Sequence, residues 1–66
     1  MSNAKIRRAV IRAKRAIDHG SIDPVSGSTI EQSEEYILNF QSVSPEQCDL
    51  AIIEIARYRS GKRFNY

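Results

Sequence analysis

The sequence predicts an all-α fold, a compact three-helix bundle that associates with itself or with another chain. Three observations carry this. Apolar residues recur at three- and four-residue steps in three separate segments. Capping and breaking residues bound each segment. The only strand-like run, Tyr36-Ile37-Leu38-Asn39-Phe40, has neither a partner strand nor a hairpin signal beside it.

The first helix is expected over residues 4–19, AKIRRAVIRAKRAIDH, where no Gly or Pro intervenes. Ile6, Val10, Ala13 and Ile17 share one face, widened by Ala9 and Ala16. His19 lies in the last turn, as a cation suited to a helix C-terminus, and Gly20 is a stop signal. Ser2-Asn3-Ala4 resembles the scar of an expression tag, so residues 1–4 carry no expectation.

Residues 20–28 read as a loop, with turns at Asp23-Pro24 and Ser26-Gly27. Ile22 and Val25 are expected to tuck against the helices. The second helix is expected over 29–41, with Ser28 and Glu31 as a capping box. Its inner face is Ile30, Ser33, Ile37 and Phe40, flanked by Tyr36. The third is expected over 45–60. Ser44 caps it, Pro45 suits the first helical position, Gln47 completes a capping box, and Val43 with Cys48 form a hydrophobic staple. Its core face is Cys48, Ala51, Ile52, Ile55 and Tyr58. Gly61 is expected to end it, leaving residues 61–66 as a basic, aromatic tail.

At 66 residues the chain is one domain, residues 1–66. A chain this short buries only about 60% of its unfolded surface, so association is a common source of added stability. An apolar content of 41% is enough for a core. Cys48 stands alone, which excludes an intramolecular disulfide and fits a cytoplasmic setting. No apolar run approaches the roughly 20 residues of a membrane span, so no membrane is expected as a partner.

The net charge of +2 conceals a segregation. Residues 1–19 carry six cations and one acid, residues 20–54 seven acids and no Lys or Arg, and residues 55–66 four cations and no acid. Pairing within an up-down-up bundle would set Glu46 and Asp49 near Lys5 and Arg8. It would set Glu31, Glu34 and Glu35 near Arg15 and the basic C-terminal end. Arg7 and Lys14 flank the core and are the cations such pairing serves best.

Lys5, Arg8, Arg12 and Arg15 fall instead on one solvent stripe. Like charges at this spacing cost about 0.2–0.5 kcal/mol each, and cations sit badly at a helix N-terminus. The stripe, with Lys62 and Arg63 of the tail, is therefore the expected anion- or partner-binding site, for an acidic protein or for nucleic-acid phosphates. A helix-turn-helix is disfavoured, because the recognition helix would open with Glu46 and Asp49.

A second surface is apolar. Leu50 and Ile53 lie opposite the core face of the third helix, and Ile11 lies off that of the first, as Leu38 does on the second. Ile11, Leu50 and Ile53 are the expected interface with another protein or a second copy. Catalytic chemistry is thin: one His and one Cys make a dyad conceivable, but both residues read as structural. No metal, cofactor or phosphate-loop spacing occurs. The sequence thus points to a small non-enzymatic interaction protein acting as a regulator or inhibitor. A nucleic-acid-binding regulator is the alternative.

Overall fold

The helices begin and end where backbone groups find partners. A computed structural model describes residues 3–63, with the side chains of Lys62 and Arg63 outside the description. It contains α1 (Ala4–Asp18), α2 (Ile30–Leu38) and α3 (Pro45–Arg63). Among the described residues the only extended pairing is an isolated bridge between Ile22 and Thr29.

Asn3 is the N-cap of α1, its side chain accepting from the Lys5 amide at 2.9 Å and the Ile6 amide at 3.4 Å. The expectation that residues 1–4 are silent is corrected for Asn3. At the other end Ser21 N–H donates to Ala16 O at 2.7 Å and Gly20 N–H to Ile17 O at 3.5 Å, the paired bonds of a Schellman ending. Gly20 supplies the φ of +83° that this ending requires.

In the loop, the predicted turn at Asp23-Pro24 forms, with Gly27 at φ +78°. The expectation for Ile22 and Val25 fails: they are 55% and 74% exposed. The loop is held by Asp23 instead, as described below.

Helix α2 is capped one residue later than expected. Thr29 accepts from the Gln32 amide, and the Gln32 side chain accepts from the Thr29 amide, both at 3.0 Å. The bridge to Ile22 holds Thr29 extended, so Thr29 rather than Ser28 takes the cap. The helix also ends at Leu38 rather than Gln41. Asn39 donates to Glu35 O through its side chain at 2.9 Å and its backbone at 3.0 Å, closing the helix early. Residues 39–44 then form the link to α3.

Ser44 stands at the start of α3, its hydroxyl accepting from the Gln47 amide at 3.4 Å. The helix runs through Gly61 to Arg63, three residues beyond the expected end. Gly in a helix costs about 1 kcal/mol, which weakens the last turn without ending it. Of the expected tail, residues 64–66 lie outside the described residues.

The core follows the apolar faces read from the sequence except at Tyr58, which stands outside it and donates its hydroxyl to Asp18. Ile6, Ala9, Val10, Ala13 and Ala16 of α1, Ile30 and Ile37 of α2, and Cys48, Ala51 and Ile55 of α3 are buried together. Ile17, Phe40, Val43 and Ile52 pack at its edge. Lys14 meets Glu54, and Asp18 meets Tyr58, each pair forty residues apart. α1 and α3 therefore run in the same direction, level with one another, and α2 runs against them.

Candidate functional site

Because α1 and α3 lie side by side, they enclose a groove of about 290 Å³. Its floor is Ile6, Val10 and Ala51, all members of the core. Its walls are Ile11 and Leu50, which remain 48% and 65% exposed. Arg7, Lys14 and Glu54 form its rim. Lys14 Nζ bonds Glu54 Oε2 at 2.6 Å across the groove and stands 5.3 Å from the Tyr58 ring centroid. At that volume the groove sits at the low edge of small-molecule pockets, about 300–1,000 Å³. The structure thus brings together two of the three expected interface residues, Ile11 and Leu50. Ile53 is 44% exposed on the outer side of α3, beyond the lining of the groove.

The basic stripe of α1 does not remain a single surface. Arg15 binds Asp23 with both ends of its guanidinium, Nε to Oδ1 at 2.8 Å and Nη2 to Oδ2 at 3.1 Å. Asp23 is fully buried and also accepts from the Val25 amide, the Ser26 amide and the Ser26 hydroxyl. The Arg15 bond, helped by those three, holds the Asp23 carboxyl well below the usual carboxylate range despite its burial. The same pairing raises Arg15. Arg15 is therefore a loop fastener, and its assignment to a free binding stripe is corrected. Arg12 is half-buried, with its guanidinium 5.7 Å from the Tyr36 ring centroid. Lys5 and Arg8 remain exposed, and among the described residues neither has an acidic partner. Glu46 and Asp49 do not reach them, so the expected internal pairing fails there. The expected acid near the basic C-terminal end is present, as Glu31 lies 4.0 Å from Arg59. The side chains of Lys62 and Arg63 lie outside the described residues.

The ends of the bundle separate the remaining candidates. Cys48 is buried at the start of α3, its thiol 3.8 Å from Phe40 O, while His19 is exposed at the far end of α1. They cannot form a dyad in this fold. Among the described residues no group of three His, Cys, Asp or Glu side chains is placed to hold a metal, and no helix is long and apolar enough to cross a membrane.

Two features escaped the sequence reading. Asp23 was legible as a turn residue but not as the partner of Arg15. Its signal is a lone acid, eight residues after an Arg, in a loop of Ser and Gly. The second is a shallow polar hollow beside Arg12 and Tyr36, where the buried Ser33 hydroxyl has no hydrogen-bond partner among the described residues. No family model, curated protein or solved structure matches the chain.

Proposed function

We propose that this chain is a small non-enzymatic interaction protein, acting as a regulator or inhibitor, that docks a macromolecular partner on the α1–α3 groove. The observation that carries the reading is the convergence of exposed Ile11 and Leu50 on one furrow floored by core residues. Singly exposed apolar residues are ordinary, but two facing each other across a groove make a continuous apolar strip. The lone buried thiol of Cys48 suits a reducing compartment such as the cytoplasm. The test is an Ile11→Asp/Leu50→Asp chain, which alters both apolar walls of the groove, checked for helix content by circular dichroism and compared with wild type in cross-linking and sedimentation. Loss of every association in a folded variant is the expected result. Unchanged association removes this reading.

A second reading, nucleic-acid binding, rests on Lys5 and Arg8, whose charges no acid offsets among the described residues. It has less behind it than four free cations would, since Arg15 is committed to Asp23 and Arg12 to Tyr36. It requires affinity for DNA or RNA that falls by roughly 0.7–0.9 log units per log unit of salt for each phosphate engaged. Lys5→Glu and Arg8→Glu must abolish it. No binding at low salt excludes it.

A further inference from the structure

We infer that the occupant of the α1–α3 groove is a second copy of this chain, packed about a twofold axis parallel to the helices, so that α1 of each copy lies over α3 of the other. The inference rests on the groove being a docking surface and adds what docks there.

Two stripes face outward beside the groove. On α1 it is Arg7, Ile11, Lys14 and Asp18, spaced as one helix face. On α3 it is Glu46, Leu50, Glu54 and Arg57, at nearly the same spacing. Read in order, the first is positive, apolar, positive, negative. The second is negative, apolar, negative, positive. The stripes are offset by 39 or 40 residues, and the internal contacts Lys14–Glu54 and Asp18–Tyr58 show that residues forty apart lie level in the fold. A twofold axis parallel to the helices preserves that level. It therefore sets Arg7 against Glu46, Ile11 against Leu50, Lys14 against Glu54 and Asp18 against Arg57, each contact occurring twice. The apolar walls of the two grooves cover each other at the centre, with charges around them, the usual layout of a protein interface.

The competing symmetric arrangement, with the axis across the helices, places α1 on α1. Arg7 and Lys14 of both copies would then crowd together, and Glu46 and Glu54 likewise on α3. Juxtaposed like charges strongly disfavour an interface, so the charge order selects the first arrangement.

The test is a charge exchange read by sedimentation equilibrium over a concentration series. The wild-type chain is expected to reach twice its monomer mass. Arg7→Glu and Glu46→Arg should each weaken self-association on the order of 100-fold, since every reversal is felt twice. An equimolar mixture of the two variants should recover the dimer, because both contacts are again of opposite sign. The double variant Arg7→Glu/Glu46→Arg should dimerise with itself. Circular dichroism of each chain separates lost association from lost folding, and the double variant supports the test should Glu46→Arg alone unwind the start of α3. A wild-type chain that stays monomeric at every concentration overturns the second copy as occupant, while capture of another protein that Ile11→Asp/Leu50→Asp abolishes would still uphold the groove as a docking site. A dimer indifferent to both reversals, or a mixture that fails to recover, also overturns the inference.

Discussion

The two flanks of α1 are built differently, although they belong to the same fifteen residues. Toward α2 the helix presents Ala9, Ala13 and Ala16, all without solvent exposure. They share that side with Arg12, which stacks on Tyr36 of α2. Small side chains on a buried face allow two helices to pack closely there. The loop beside this flank is then fastened by the partly exposed Arg15 on the buried Asp23. Toward α3 the helix presents Ile6 and Val10, which floor the groove, and Ile11, which stays half exposed on its wall. That flank is held near the surface, by Lys14 with Glu54 and by Asp18 with Tyr58. One seam is closed by alanine at its core, with a shallow polar hollow at its outer edge by Arg12, Ser33 and Tyr36. The other is left ajar, and an open seam is where a partner can be accommodated without disturbing the core.

Mutations should separate the flanks. The largest loss is expected from Asp23→Ala, which leaves Arg15 and three loop donors without their acceptor. A thermal melt monitored at 222 nm should show the greatest fall of the set, and an unshifted melt would mean that the closed seam does not depend on this fastener. Its acid dependence follows from the sign of the shift. A carboxylate depressed in the folded state stabilises fully above its ordinary value of 3.8 and loses that contribution as pH falls toward its lower folded value. Stability should thus hold from neutrality to about pH 4 and decline below it, whereas Asp23→Asn should flatten the decline. Next in size, Ala13→Leu overfills the closed seam and should cost about 1–3 kcal/mol in equilibrium denaturation. No measurable cost there would show that the two helices are not in close approach. Smallest is Leu50→Asp on the open seam. Measured at a dilution where the chain is monomeric, it should stay within about 0.5 kcal/mol of wild type. A larger loss would mean that the groove belongs to the core.

The closed seam was partly legible in the sequence and its fastener was not. Ala9, Ala13 and Ala16 fall on the apolar face by spacing alone, and the Ser44-Pro45 start of α3 follows from local backbone chemistry. Those are interactions between near neighbours. Asp23 depends on how the loop folds back over α1, which spacing does not encode, so Arg15 looked as free as Arg8. The cap of α2 shows the same limit. Ser28 with Glu31 and Thr29 with Gln32 are equally good local patterns, and the bridge from Ile22 decides between them. In the groove, the exposure of Ile11 and Leu50 was expected from their position off the core face. That they face each other required the shared direction of α1 and α3.

That shared direction also governs how the protein should be handled. The groove begins beside Asn3 and Gln47, where α1 and α3 both start. The last described residue, Arg63, leaves from the opposite pole of a body 37 Å long. A purification tag, fluorophore or surface tether joined directly ahead of Asn3 would start at the mouth of the groove and compete with whatever docks there. A label carried beyond Arg63 departs from the opposite pole, so attachment chemistry at the two ends would report two different affinities for one protein.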